Sequence, residues 1–184
     1  VKSKDIELNE YFVRALELME NSRKSIFVTG KAGTGKSTLL DYFRNHTKKR
    51  IVVLAPTGVA ALNVRGQTVH SFFHFKPNVT VDAVKLKKKI RDPKLYKNID
   101  TIVIDEISMV RADLLDCVDV FLRRHGRTRD EPFGGIQMIF IGDLYQLPPV
   151  VTSDERDIFR EQYASPYFFD AKVFADSQLT LDKK

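Results

Sequence analysis

The chain has 184 residues, of which 43% are hydrophobic and 29% charged, so it holds one domain's worth of core and is neither a two-core protein nor a disordered one. No apolar run approaches the ~20 residues of a membrane span, which argues against a membrane role, and the single Cys117 rules out an internal disulfide. A reducing intracellular compartment is therefore expected: the cytoplasm in a bacterium, the nucleus or mitochondrion in a eukaryote. The net charge of +6 suits either a polyanionic partner or merely a basic soluble protein, with clusters at 48–50, 85–89 and 123–129.

In chain order, Tyr11, Phe12, Leu16 and Met19 recur at helical spacing and predict an amphipathic helix over the first twenty residues. With no initiator Met and no apolar signal core, the start reads as that of a cut fragment. Ile26 to Val28 form a short buried strand that ends in a turn at Gly30. A helical pattern runs from Lys36 to about Asn45, and a second strand, 51–54, is closed by Pro56 and Gly58. The third strand, Ile102 to Ile104, ends at Asp105. A helix follows with Val110, Leu114, Cys117 and Phe121 on one stripe, which makes Cys117 a core residue. The fourth strand, 138–141, ends at Gly142-Asp143. Short strands that are apolar on both faces and alternate with helices predict an α/β fold with a mostly parallel sheet and helices on both faces. The polar clusters follow strand C-termini, where such sheets bind ligands.

Gly30 to Ser37 matches G-x-x-x-x-G-K-S/T between a strand and a helix, the pattern of a P-loop NTPase. The amides of Gly30, Ala32, Gly33, Thr34, Gly35, Lys36, Ser37 and Thr38 can wrap the phosphates of ATP at a helix N-terminus. Lys36 supplies a cation to the β- and γ-phosphates, and the Ser37 hydroxyl a ligand to Mg²⁺. Asp105 and Glu106 could cap a helix N-terminus. Beside a phosphate loop, they become a Mg²⁺ partner (Asp105) and the base that deprotonates the attacking water (Glu106). Gln146, in the loop after the fourth strand, can contact the γ-phosphate or that water, although a polar loop before two prolines also reads as a plain turn.

These motifs resemble those of superfamily-one helicases, in particular the Pif-one family near RecD. Residues 55–61 resemble motif Ia, 66–72 the G-x-T-x-H-S-F stretch, 103–109 motif II and 142–150 motif III, with 133–137 also typical; the likeness runs from about residue 8 to 182. It implies a RecA-like motor domain spanning 1–184, the first of two in a 5′-to-3′ DNA helicase that uses ATP and Mg²⁺, steps on single-stranded DNA and unwinds duplex or G-quadruplex DNA. By this resemblance Lys36, Asp105, Glu106 and Gln146 are catalytic, and Pro56, Thr57, Gly58, His70 and Phe72 are candidates for the single-strand track. A Thr hydroxyl and a Gly amide suit phosphate, and aromatic rings suit bases. His70 equally suits a packed core position, and Phe72 and Phe73 suit a core more often than a surface. Leu8-Asn9 lacks the Gln of the family's adenine-reading segment. Motifs IV to VI, on the second RecA-like domain, would lie beyond Lys184, with 178–181 as the last strand before it, so the fragment is expected to be nearly inactive alone. A DNA-independent ATPase or phosphotransferase on the same fold is the competing reading, as is a module that docks DNA without nucleotide.

Overall fold

The computed structural model describes residues 10–87 and 90–176; the Leu8-Asn9 departure and the strand expected at 178–181 lie outside them. Helix α1 (Glu10–Asn21) leads to β1 (Ile26–Thr29), α2 (Lys36–His46), β2 (Ile51–Ala55), α3 (Gly58–Asn63), β3 (Gln67–Thr68) and α4 (Val69–Phe73). Then come α5 (Val81–Leu86), α6 (Pro93–Asn98), β4 (Thr101–Ile104), α7 (Ala112–His125), β5 (Gln137–Gly142), α8 (Arg156–Gln162) and α9 (Lys172–Asp176).

The five strands form one sheet in the order β1-β5-β4-β2-β3. Every pairing is parallel, with Val28 beside Ile141, Val103 beside Ile139, and Leu54 beside both Ile104 and Gln67. All strand C-termini therefore share one edge, and the segments that follow β1, β2, β4 and β5 converge there.

Side chains alternate between two buried layers, as the pleat requires. Val53, Ala55, Val103, Ile139 and Ile141 pack against Met19, Leu39, Leu40, Phe43, Ala61 and Val64 of α1, α2, α3 and the turn after it. Leu54, Ile102, Ile104, Met138 and Phe140 face the opposite layer, where Phe73, Phe121, Phe133 and Phe168 are fully buried. Cys117 is completely buried, and burial pushes its thiol up to about 12, so it is a core residue rather than a nucleophile.

Several elements differ from the sequence reading. In α1 the buried stripe is Phe12, Ala15, Leu16 and Met19, while Tyr11 is 85% exposed. Val110 is buried but precedes α7. Gly58 opens α3 instead of closing a strand, because the Thr57 hydroxyl accepts the Ala60 N–H at 3.2 Å and caps that helix. β3 falls within the 66–72 motif and α4 begins in it, with Thr68 capping α4 in the same manner.

Candidate nucleotide site and nucleic-acid track

The loop between β1 and α2 is built by its glycines. Gly33 and Gly35 sit at φ 80° and 91°, and a Cβ at either would meet no atom within 4 Å, so backbone conformation rather than crowding calls for glycine. Thr34 ties the turn by donating its hydroxyl to the Lys31 carbonyl at 2.8 Å. Gly35 and Lys36 open α2, whose first-turn N–H groups have no carbonyl four residues earlier in the helix and so suit an anion. The Lys36 ammonium donates to the carbonyls of Gly30 and, at 2.9 Å, Lys31, which folds it back over its own loop.

β4 delivers the acidic pair. The Asp105 N–H donates to the Leu54 carbonyl at 2.9 Å, which extends the β2–β4 pairing by one residue. Burial pushes the Asp105 carboxyl above the ordinary carboxylate range. The Glu106 N–H bond and the Lys36 charge oppose that shift, and the Glu106 carboxylate adds to it. Glu106 itself occupies the left-handed region at φ 52°, ψ 41°, uncommon for a residue with a side chain. This turn redirects the chain from β4 into a single 3₁₀ turn, Ile107–Met109. Ser37, Asp105 and Glu106 line one small cleft of about 120 Å³ with Asp41, Ala60 and Asn63. A hydroxyl and a carboxylate together are hard oxygen ligands that suit Mg²⁺. Among the described residues no group of three or more His, Cys, Asp or Glu could hold a metal ion unaided. The donor set thus fits Mg²⁺ carried in with phosphate oxygens.

β5 supplies the third loop. Gly142 lies against the acidic turn: a Cβ there would stand 2.9 Å from Ile107 Cγ2 and 3.3 Å from the Ser108 nitrogen. Asp143, only 5% exposed, accepts the Tyr145 N–H at 3.0 Å and the Gln146 side-chain amide at 3.2 Å. Gln146 is exposed and belongs to this neighbouring loop rather than to the cleft lining. Asp143 thus holds the Gln146 side chain in place, a contact the motif does not announce. A Gly-Asp at a strand end preceding the Gln was its only sequence signal.

The expected single-strand track is not one surface. Pro56, Thr57 and Gly58 stand at the α3 N-terminus on the functional edge, Gly58 exposed with open space where a Cβ would sit. Phe72 corrects the expectation: it is 6% exposed, its ring packs edge-on against Phe73 and Tyr96, and its carbonyl accepts the Tyr96 hydroxyl at 3.0 Å. It is a core residue and cannot stack on a base. His70 is half-buried and lines a separate groove of about 910 Å³ with Val79, Thr80, Arg111 and Phe159. That groove is far larger than the nucleotide cleft, yet its buried charges are already satisfied. Arg111 pairs with Asp113 and Glu155 at 2.8 and 2.9 Å, and Asp116 accepts the Tyr163 hydroxyl and the N–H groups of Lys172 and Val173.

The all-parallel sheet, with a phosphate loop opening α2 and an acidic pair ending β4, defines the class: a P-loop domain of the RecA-like α/β fold. The chain belongs to the PIF1-like helicase family, whose model matches residues 9–174. It is 44% identical over 150 residues to the ATP-dependent DNA helicase PIF1 of Saccharomyces cerevisiae and 48% over 145 residues to PIF5 of Trypanosoma brucei. These matches cover 77% and 74% of this chain but only 17% and 15% of those proteins. Among solved structures, Bacteroides Pif1 bound to ssDNA matches with 40% identity and a TM-score of 0.85, over 94% of this chain and 40% of that one. Bacteroides Pif1 with ADP-AlF3 and ssDNA matches with 41% identity and a TM-score of 0.86, over 94% and 41%. No helix among the described residues is long and apolar enough to cross a membrane.

Proposed function

We propose that this chain is the ATP-binding RecA-like unit of a 5′-to-3′ DNA helicase that steps along single-stranded DNA and opens duplex or G-quadruplex DNA. The observation that carries the ATP reading is the convergence of Ser37, Asp105 and Glu106 on one cleft beside the phosphate loop. Support for DNA as partner comes from family membership and from the Pif1 structures that hold ssDNA; direction and G-quadruplex opening rest on the motif resemblance alone. The relatives are several times longer than this chain, so the stepping cycle is assigned to such a longer motor, and the second RecA-like unit facing this one rests on the motif resemblance alone. Its site of action would be the compartment holding the DNA: the cytoplasm of a bacterium, or a eukaryotic nucleus or mitochondrion.

In this mechanism the first-turn amides of α2 receive the phosphates, and Lys36 exchanges the carbonyls of Gly30 and Lys31 for the β- and γ-phosphate oxygens. Ser37 and Asp105 would hold Mg²⁺, which when bound offsets charge on the β- and γ-phosphates. Glu106 takes a proton from the attacking water, whose oxygen bonds to the γ-phosphorus as the bond to the ADP oxygen breaks. Gln146 leaves Asp143 to reach the γ-phosphate or the water, and so reports its presence to the loop that follows.

The test is calorimetry of ATP–Mg²⁺ binding to Lys36→Ala, in which affinity should be lost while the melting temperature is kept. In the full-length motor, Glu106→Gln should bind ATP normally and hydrolyse it about 10²- to 10⁴-fold more slowly. Unchanged affinity in the first variant, or normal turnover in the second, would defeat this reading. DNA-stimulated turnover in the full-length motor separates a helicase from a DNA-independent ATPase.

A further inference from the structure

Of the three basic clusters in the sequence, the one at 48–50 is largely used internally. The Lys49 ammonium donates to Met19, Ser22 and Gln137, and Arg50 grips Asp100. Lys85, from the second cluster, and the cluster at 123–129, separated by tens of residues in sequence, meet at the strand-N-terminal edge, remote from the phosphate loop. The Arg124 guanidinium donates to the Lys85 carbonyl, and Arg127 Nε donates to the Lys97 carbonyl at 2.9 Å. Tyr96 of α6 packs edge-on against Phe121 of α7, with ring centroids 4.8 Å apart, which fixes the two segments side by side.

Lys85, Lys97 and Arg124 stand at these contacts, with Arg91 and Lys94 flanking the start of α6 and Arg129 two residues after Arg127, and all six are exposed. Arg91, Lys94, Lys97 and Arg129 have no ion pair with the described residues, and Lys85 reaches only the exposed Asp82, at 3.6 Å. Asp100 is already neutralised by Arg50 and Arg127, and the exposed Asp92, between Arg91 and Lys94, is engaged in capping α6 by accepting the N–H groups of Lys94 and Leu95. Asp130 and Glu131, also exposed, follow Arg129 in sequence. The aromatic rings beneath this face, Tyr96 and Phe121, are 2% and 1% exposed, and the exposed apolar residues there are Leu86 and Leu95. Cations without an exposed ring match a phosphate backbone whose bases are hidden, whereas a single strand would call for stacking surfaces.

We propose that this edge is a second nucleic-acid surface, which holds the backbone of duplex DNA while the opposite edge handles ATP and the single strand. The inference rests on the helicase reading only in taking DNA as the polyanion. The test is fluorescence anisotropy with a short blunt duplex and with oligo(dT), for wild type and for the triple variant Lys94→Glu, Lys97→Glu, Arg129→Glu. Duplex affinity should fall at least about tenfold and its log–log salt slope by about 3, close to one unit per lost phosphate contact. Oligo(dT) and ATP–Mg²⁺ affinities should stay within about twofold of wild type, which leaves the catalytic edge intact. The milder pair Lys94→Gln, Lys97→Gln should shift duplex binding in the same direction with an unchanged melting temperature. Unchanged duplex affinity and salt slope in folded variants would overturn the proposal, as would equal losses for duplex and single strand. The single-strand arm reports on the helicase reading and the duplex arm on this face, so the two can fail separately.

Discussion

Glu106, the proposed base, sits on a strained backbone. A left-handed conformation costs a residue with a Cβ roughly 1–2 kcal/mol, held here by the buried strand behind it and the 3₁₀ turn ahead. Glu106→Gly should therefore keep or raise stability by up to about 1 kcal/mol while removing hydrolysis, whereas Glu106→Gln keeps the strain and loses only the base. Chemical denaturation alongside single-turnover ATP hydrolysis distinguishes the two. Asp105 carries a related cost. Its pKa in the fold is raised by burial, so its contribution to stability is present below the unfolded value of 3.8 and is lost as pH rises through the folded value. Asp105→Asn should melt higher than wild type at neutral pH, with the gap closing as pH falls through the raised folded value toward 3.8, and should bind Mg²⁺–ATP about 10- to 100-fold more weakly. An Asn variant that melts lower at neutral pH would count against a destabilising buried carboxylate.

Elements lock together where side chains are small or deeply buried. Gly142→Ala places a methyl group against Ile107 and the Ser108 backbone, so β5 and the acidic turn must separate. Overpacking of this kind costs about 1–3 kcal/mol, and hydrolysis should suffer more than ATP binding because the displaced turn carries Glu106. Phe72→Ala should destabilise the domain by about 3–5 kcal/mol, read by urea denaturation, without the selective loss of DNA affinity expected of a stacking residue. The four longer strands were legible in sequence because they are apolar on both faces, and the phosphate loop because its spacing is fixed by backbone chemistry. The elements β3, α4, α5 and α6 were not, since two to six residues give too few periods to read. Asp143 and Lys49 escaped for another reason. A buried polar side chain is defined by partners distant in sequence, such as the Gln137 that Lys49 meets across the sheet. His70 and Phe72 show the same limit from the other side, because motif adjacency does not say which layer a side chain enters.

Across the whole molecule, the two sheet edges carry different groups. At the strand-N-terminal edge, Gln137 accepts from Lys49 and Thr101 and donates to the carbonyls of Leu18 and Lys24, which fastens the end of α1 to the sheet. Lys49→Met leaves Gln137 and the carbonyls of Met19 and Ser22 short of a donor. It should cost about 1–3 kcal/mol in denaturant melting and leave ATP affinity unchanged at the far edge. One element spans the two edges: α7 starts shortly after the Asp105-Glu106 turn and ends in the arginines of the basic face. Its 14 residues rise 1.5 Å each, about 21 Å in all, the length of roughly six base-pair steps of B-form DNA. The helix is thus a ruler as well as a core element. If both edges grip one substrate, a duplex should need an unpaired tail long enough to cross that span before the two contacts reinforce each other. A tail-length series would show that threshold as a step in affinity, and one that rose smoothly from the first nucleotide would place both contacts on the same edge.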